Sequence, residues 1–278
     1  MRALAFLLFL AAAFVHADTR PNIVIILADD MGFSDLGCYG GEIQTPHLDK
    51  LAAEGMRFTQ FYNCALCGPS RAALMTGQHP HRVGMTQWTG LLEGNCVTMF
   101  EVLNRAGYET CAVGRLDMLT AENWHEPQSL SRHVGRYFGT TGQAGPGNYF
   151  ADVRHTAFFR DGKPFSIPEG GYKTDLITDF TLEFLQQRDK AKPFLLYMAH
   201  YAPHWPLHAK EADIAKYRKL YRELGWDAAR EQRLKRLIEK GMLPANTKLA
   251  ARDPAAKPWR AAEHLDWEAE RMAVFAAQ

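Results

Sequence analysis

Runs of apolar residues alternate with amphipathic stretches along the chain, and this alternation predicts strands separated by helices. Residues 23–28 form a continuous, β-branched apolar run of the kind that a strand buried on both faces requires. Residues 108–113 are predicted to form a further strand, and residues 193–199 another buried strand. Within residues 176–184 the apolar side chains recur at helical spacing. The pattern predicts an α/β fold with a largely parallel sheet between helices.

Capping and stop residues place the ends of two helices. Thr45-Pro46 is a favourable start, with Thr as the N-cap and Pro in the first turn, and Gly55 is a stop signal. Thr98 and Glu101 have the spacing of a capping box, in which each side chain bonds the backbone N–H of the other residue. We therefore expect one helix after Thr45 and another after Thr98.

Three further segments have less regular patterns. Residues 57–62 alternate between apolar and polar positions, which predicts a strand. Asp161-Gly162 lies at the centre of residues 158–167 and predicts a β-hairpin with a tight turn. Residues 131–148 are rich in glycine and polar side chains, so we expect a loop there.

The N-terminus has the organisation of a secretory signal peptide. Arg2 precedes an apolar stretch at residues 3–15, and residues 15–17 (VHA) resemble a small-residue cleavage site. We expect residues 1–17 to be removed on export to the periplasm or the medium, although an N-terminal membrane anchor is the alternative. No other stretch approaches the roughly 20 apolar residues of a transmembrane helix.

Composition and charge exclude some partners. The 278-residue chain has a formal net charge of +1, so nothing in it indicates binding to nucleic acid or to an anionic membrane surface. Residues 210–278 are charged and mostly helical in pattern. The length that remains after residue 17 suffices for one large or two modest domains.

Two adjacent acids, Asp29 and Asp30, directly follow the first predicted strand. In open α/β sheets, ligands bind beyond the carboxyl ends of the strands. Carboxylates are hard oxygen ligands that suit Ca²⁺ or Mg²⁺. The pair alone is weak evidence, because two adjacent acids are more often a solvated turn, so its interpretation depends on a second motif.

That second motif is the run CGPSRAALMTG, which begins at Cys67 at a predicted loop-to-helix junction. Together with the paired acids it resembles the type I, formylglycine-dependent sulfatase family, where C-x-P-S-R-x4-T-G marks the modified cysteine. The resemblance implies an alkaline-phosphatase-like fold with a mixed, mostly parallel sheet. It also implies that a maturation enzyme oxidises Cys67 to formylglycine, whose hydrate attacks the sulfur of a sulfate ester. Asp29, Asp30 and position 67 would bind Ca²⁺, or Mg²⁺, and Arg71 would orient the hydrate.

The resemblance extends to a segment after the next strand, with two departures. The family usually has G-K-W-H-L-G there, and residues 114–119 read GRLDML. Arg115 replaces the lysine and can still bind sulfate, in a bidentate manner. Asp117 replaces the histidine, so either this acid or His125, if its loop folds back, would serve as the base.

A third family segment follows the strand at residues 193–199. Residues 202–206 read APHWP and match the family pattern A-P-H-x-P. The resemblance implies that His204 binds sulfate and donates a proton to the leaving oxygen.

One family feature is missing from this sequence. Sulfatases carry an Asp-Asn or Asp-Gln pair after a later strand, and no such pair follows a strand within residues 207–278. We therefore expect residues 18–278 to form the N-terminal part of a C-terminally truncated, incomplete catalytic domain. On that expectation the segment alone is an inactive fragment.

The resemblance predicts a sulfuric ester hydrolase that acts on a sulfated small molecule or carbohydrate. One alternative is a phosphodiesterase or phosphonate hydrolase of the same superfamily. Another is a non-catalytic remnant that binds sulfated glycans. The five cysteines leave the disulfide pattern open, because conversion of one would leave four that either pair or stay as thiols: Cys38, Cys64, Cys96 and Cys111.

Overall fold

The computed structural model describes residues 20–87, 92–116, 133–140, 148–150 and 158–278. The strands are β1 (Ile23–Asp29), β2 (Glu109–Arg115), β3 (Arg136–Thr140), β4 (Phe158–Arg160), β5 (Lys163–Phe165) and β6 (Phe194–Pro203). The helices are α1 (Pro46–Glu54), α2 (Cys67–Thr76), α3 (Met99–Arg105), α4 (Lys173–Gln187), α5 (Glu211–Glu239) and α6 (Leu265–Ala277).

The strands form one sheet in the order β1-β6-β2-β3-β4-β5. The first four in that order are parallel, and β4 and β5 add an antiparallel hairpin at one edge. The pairing of β1 with β6 shifts after Leu27, which faces Ala199, whereas Asp29 faces Pro203. The sheet is therefore mixed and mostly parallel, as the sequence pattern predicts.

Helices cover both faces of the sheet. On one face, α2 and α3 pack against the strands through a cluster that includes Ala72, Met75, Phe100, Ala112 and Tyr197. On the other face, α4 packs through a cluster that includes Ile177, Phe180, Phe184, Val113 and Leu196. A sheet between helix layers is the arrangement that was expected.

The C-terminal helices form a third packing unit. α5 and α6 pack together around a buried cluster that includes Ile214, Tyr217, Tyr221 and Ala273. α5 bends at Gly225, whose φ of 61° interrupts the helical geometry. A side chain at this position would collide with the indole of Trp259, so glycine serves both the bend and the close approach.

Two sequence-based predictions about local structure are confirmed in detail. Thr98 and Glu101 form a complete capping box at the start of α3. Asp161 and Gly162 connect β4 to β5 with φ values of 48° and 79°. Positive φ at both central residues is typical of the tight turn that suits the twist of a hairpin.

Two other predictions are wrong. Residues 57–62 form no strand, and Phe58 instead packs its ring against Phe61 at 5.6 Å. The segment at 131–148, predicted to be a loop, contains β3. Gly139 explains this error, because a Cβ there would lie 1.9 Å from the carbonyl oxygen of Gly114 on the neighbouring strand. Glycine is a loop signal by local pattern, whereas here it permits the close approach of two strands.

The five cysteines are all free thiols, which answers the disulfide question for this structure. Within the described residues, no helix combines the length and the apolar character that crossing a membrane would require. The predicted signal peptide lies outside the described residues.

Candidate functional site

The predicted site residues lie at the carboxyl ends of three parallel strands, which together form one edge of the sheet. β1 ends at Asp29, β2 ends at Arg115, and β6 leads into His204. Because β6 lies between β1 and β2, their carboxyl ends are neighbours in space. This edge is where ligands bind in open α/β sheets.

Asp29 is at the centre of a buried charge cluster. Its side chain is only 4% exposed and lies 3.4 Å (Oδ1) from Nη2 of Arg71. Its Oδ2 contacts Nη1 of Arg115. A buried carboxylate is stable only when its charge is compensated, and two guanidinium groups provide that compensation here.

Arg71 is held from several directions. Its Nη1 donates to the backbone carbonyl of Arg115 at 2.8 Å and to the Tyr197 hydroxyl at 3.2 Å. It therefore connects α2 to the ends of β1, β2 and β6. The sequence motifs do not single out Tyr197, although a hydroxyl within the apolar run at residues 193–199 is a signal that could identify it.

Cys67 is the first residue of α2 and follows Leu66, whose extended backbone forms the N-cap position. Nη2 of Arg115 donates to the Cys67 Sγ at 3.2 Å. The N-terminus of a helix carries partial positive charge and unpaired N–H groups, so the position favours an anion. Arg115 thus links Cys67 to Asp29.

Asp30 has a different environment from Asp29. Its φ of 66° lies in the left-handed region, which turns the chain sharply at the end of β1. Its carboxylate is 63% exposed, and its Oδ2 lies 3.5 Å from Nε2 of His204. Asp30 therefore presents a solvent-facing oxygen donor, whereas Asp29 is enclosed.

The loop after Asp30 is fixed by a helix that is remote in sequence. The Asp35 carboxylate accepts from the Gly32 N–H at 2.6 Å through Oδ2. Its other oxygen, Oδ1, accepts from Nη1 of Arg233, on α5, at 2.6 Å. Arg233 also donates to Glu42 at 2.6 Å. The geometry of the β1 loop thus depends on α5.

His204 is held through its backbone. Its carbonyl oxygen accepts from the Tyr149 hydroxyl at 2.9 Å and from Nε2 of Gln278 at 3.2 Å. Burial raises the pKa of Tyr149 above its ordinary value, which keeps the hydroxyl protonated as a donor. The next residue, Trp205, is 74% exposed. The sequence motifs do not assign Tyr149 to the site.

A cavity of about 470 Å³ is lined by four of the predicted site residues. Its lining includes Asp29, Asp30, Cys67 and Arg71. Arg115 and His204 reach the same cluster through their contacts with Asp29 and Asp30. The predicted base residues, Asp117 and His125, lie outside the described residues.

Two of the site residues carry ligand atoms of the kind that a divalent cation requires. Asp29 and Asp30 offer hard oxygen atoms, which Ca²⁺ and Mg²⁺ prefer. Within the described residues, no group of three or more His, Cys, Asp or Glu side chains is arranged to hold a metal ion. The oxygen chemistry of the two acids fits such a cation, and Asp30 is the one with an accessible carboxylate.

Known proteins match both the sequence and the fold. The sulfatase family profile matches residues 21–268. The chain is 38% identical to an N-acetylglucosamine-6-O-sulfatase of Bacteroides thetaiotaomicron over 187 residues, which cover 66% of this chain and 31% of that protein. It is 29% identical to an arylsulfatase of Klebsiella aerogenes over an aligned length of 302 residues. The alignment covers 100% of this chain and 63% of that protein. The chain therefore belongs to the sulfatase family.

Solved structures agree with this assignment. One, in complex with its substrate D-glucosamine-2-N,6-O-disulfate, has a TM-score of 0.61 and 35% identity, and covers 72% of this chain and 38% of that one. The crystal structure of Ps i-CgsB has a TM-score of 0.63 and 32% identity, and covers 79% of this chain and 54% of that one. The fold is thus the alkaline-phosphatase-like α/β arrangement that the resemblance implied.

A more distant structure shares the fold alone. The phosphonate monoester hydrolase of Agrobacterium radiobacter has a TM-score of 0.51 at 16% identity, and covers 93% of this chain and 56% of that one. The chain spans between 31% and 63% of the length of the two curated relatives named above.

Proposed function

We propose that this chain carries the nucleophile-bearing part of an enzyme that hydrolyses sulfate esters. The observation that carries the proposal is the connected set Cys67–Arg115–Asp29 at the N-terminus of α2, with Asp30 lining the same cavity. A side chain at position 67 lies where a helix terminus and a guanidinium favour a negatively charged group. Sulfate is such a group.

The proposal includes conversion of Cys67 to formylglycine by a maturation enzyme. The aldehyde hydrate would supply an oxygen nucleophile in place of the thiol. Two features of the chain would position this nucleophile. Residue 67 lies in the first turn of α2, and Arg115 donates a hydrogen bond to the Cys67 Sγ at 3.2 Å. Arg71 holds the carbonyl of Arg115 at 2.8 Å and thereby fixes the donor.

We further propose that Asp29 and Asp30 contribute to binding of Ca²⁺, with Mg²⁺ as a second possibility. A bound divalent cation would neutralise charge on the sulfate and polarise its oxygens. Asp30 presents an exposed carboxylate for this purpose. Asp29 would share its charge between the cation and the two arginines that now compensate it.

His204 is the proposed proton donor to the leaving oxygen. Its imidazole lies beside Asp30, with 3.5 Å between Nε2 and Oδ2, and its backbone is held by Tyr149. A histidine at hydrogen-bond range of a substrate oxygen is the usual general acid in such a position. Its neighbour Trp205 is exposed and offers a flat apolar face.

A sulfated carbohydrate is the proposed substrate class. Support comes from the relative named N-acetylglucosamine-6-O-sulfatase and from the structure solved with D-glucosamine-2-N,6-O-disulfate. Export to the periplasm or the medium, through the signal peptide at residues 1–17, is the proposed location.

The test is the mass of the tryptic peptide that carries position 67. The chain is co-expressed with a formylglycine-generating enzyme, and a known sulfatase in the same cells serves as the positive control. We expect the peptide to lose sulfur and gain an aldehyde. Retention of the thiol, while the control protein is converted, would contradict the proposal and favour the binding remnant.

Hydrolysis distinguishes the remaining alternatives. The converted protein is offered N-acetylglucosamine 6-sulfate and, in parallel, a phosphonate monoester. Release of sulfate supports the proposed function, whereas release of the phosphonate product alone would assign the site to the phosphorus branch of the superfamily.

A further inference from the structure

A second cysteine lies close to Cys67. The sequence reads Cys64-Ala65-Leu66-Cys67, so two thiols are separated by two residues directly before and at the start of α2. Both side chains line the cavity of about 470 Å³. Cys64 is exposed and Cys67 is half-buried. The proposed function uses only Cys67.

The backbone turns Cys64 back toward the helix. Ala65 has a φ of 56°, in the left-handed region, and its N–H donates to Oδ1 of Asn63 at 2.7 Å. The N–H of Cys64 donates to Oγ of Ser70 at 3.1 Å. Ser70 lies three residues after Cys67 and therefore on the same face of α2. The hydrogen bond thus anchors Cys64 against the helical turn that carries Cys67.

We propose that Cys64 and Cys67 form a reversible disulfide by exchange with a small-molecule disulfide such as oxidised glutathione. The exposed Cys64 thiolate attacks one sulfur of the oxidant, forms a mixed disulfide and releases one glutathione thiol. The Cys67 thiolate then attacks the sulfur of Cys64, closes the intramolecular bond and releases the second thiol. The two cysteines lose two electrons and two protons, and the oxidant is reduced to two thiols.

The other cysteines are poorly placed to compete. Cys38, Cys96 and Cys111 are buried, so an oxidant reaches Cys64 more readily. Burial raises the pKa of Cys111 well above its ordinary value, which suppresses the thiolate needed for exchange. Arg115 donates a hydrogen bond to the Cys67 sulfur at 3.2 Å, and Cys67 and Cys64 line the same cavity.

The consequence for maturation rests on the proposed function. Conversion to formylglycine requires the sulfur of Cys67 as a free thiol. The closed disulfide withholds that sulfur, so the two oxidation products exclude each other. The fraction of exported chains whose Cys67 can still be converted to formylglycine in an oxidising compartment would then depend on Cys64.

A single peptide reports every state. Arg57 and Arg71 bound the tryptic peptide at residues 58–71, which contains both Cys64 and Cys67 and no internal Lys or Arg. The disulfide is lighter than the dithiol by two hydrogen atoms, and formylglycine lacks the sulfur of residue 67. Mass spectrometry after acid quenching and alkylation therefore separates the three forms.

The experiment equilibrates the native chain in buffers of reduced and oxidised glutathione and repeats the series in concentrated urea. We expect the equilibrium constant for closure to be at least about tenfold larger in the native chain, because the fold raises the effective concentration of one thiol at the other. A native constant equal to or below that of the unfolded chain would overturn the proposal.

Two variants assign the partners. Cys64→Ser removes the closed peptide while leaving the backbone bond from residue 64 to Ser70 in place. Cys38→Ser is the matched control and leaves the closure constant unchanged. A disulfide that joins the 58–71 peptide to the peptide carrying Cys38, with no bond between Cys64 and Cys67, would contradict the assignment.

A co-expression arm separates this inference from the proposed function. With the formylglycine-generating enzyme present, we expect Cys64→Ser to raise the converted fraction of a chain exported under oxidising conditions. If the wild type closes the disulfide and Cys64→Ser is still not converted, the disulfide stands and the proposed maturation is wrong. If the wild type is converted but never closes the disulfide, the proposed maturation stands and this inference is wrong.

Discussion

Arg71 and Asp29 form an ion pair that is almost completely removed from solvent, with 3.4 Å between Nη2 and Oδ1 and exposures of 2% and 4%. The pair joins the first strand to the helix that begins at Cys67. Because both charged groups are buried, each depends on the other to compensate its charge. Loss of this ion pair would therefore disturb the site and destabilise the fold.

Replacing Arg71 by Met should destabilise the chain strongly. The change leaves Asp29 buried with one guanidinium instead of two, and removal of one partner from a buried pair costs about 3 kcal/mol or more in free energy of unfolding. Urea denaturation measures the effect. Lys219→Met is the control, because Lys219 is exposed and lies 3.9 Å from Glu223, and such surface pairs contribute about 0–1 kcal/mol. Equal effects of the two changes would contradict the prediction.

Two glycines with positive φ should respond differently to alanine. Gly114→Ala places a Cβ 1.9 Å from the carbonyl of Ala199 on the paired strand, at a φ of 93°. Gly162→Ala, at a φ of 79°, meets no atom within 4 Å. We expect Gly162→Ala to cost about 1–2 kcal/mol from backbone strain alone. Gly114→Ala should prevent folding or cost considerably more, and comparable urea midpoints would show that β2 and β6 can separate.

Glu42 should make stability depend on pH. Burial raises the pKa of Glu42, but hydrogen bonds from Arg233 and Tyr221 outweigh burial and hold the pKa below its ordinary value. A carboxyl with a lowered folded-state pKa adds stability above the unfolded-state pKa, and this contribution is lost as the pH falls through the folded-state pKa.

The measurement is the difference in free energy of unfolding between the wild type and Glu42→Gln, followed by urea denaturation across pH. We expect the wild-type advantage to be full above about pH 5 and to shrink in more acidic solution. An advantage that grows on acidification would show that Glu42 is not stabilised as a carboxylate.

Calcium should stabilise the chain through Asp30. A ligand that binds only the folded state adds about 2.7 kcal/mol at a concentration one hundred times its Kd. We therefore expect Ca²⁺ to raise the thermal unfolding midpoint, and Asp30→Asn to remove most of that rise. Asp253→Asn, on an exposed turn, is the matched control. A wild-type midpoint that is insensitive to both Ca²⁺ and chelators would exclude the cation role.

The sequence predicted the parts of the site that local motifs encode. Cys67 and Arg71 share one helical motif, and Asp29 ends the apolar run of β1, so a parallel sheet brings them to one edge. The prediction that this run is buried on both faces is wrong, because β1 lies at the end of the described sheet and Val24 and Ile26 are 52% and 54% exposed. Tyr197 and Tyr149 were not assigned to the site, because a tyrosine's hydroxyl partner is set by tertiary packing and not by a repeating pattern.

The same limit explains the errors in the fold. The glycine in β3 has its reason in the neighbouring strand, where Gly114 lies directly opposite Gly139. Residues 57–62 are rich in aromatic side chains, which favours a strand, but no strand of the described sheet pairs with them. Local propensity yields to tertiary context in both cases.

The hydrogen bond between Asp35 and Arg233 has a consequence for the order in which parts of the chain fold during synthesis. The two residues are 198 positions apart, so the carboxylate that shapes the loop after Asp30 has no guanidinium partner until α5 has been synthesised. Contacts of such sequence separation form slowly and late in folding. The first strand and the loop that follows it leave the ribosome early, but they acquire their final shape only when most of the polypeptide has followed them.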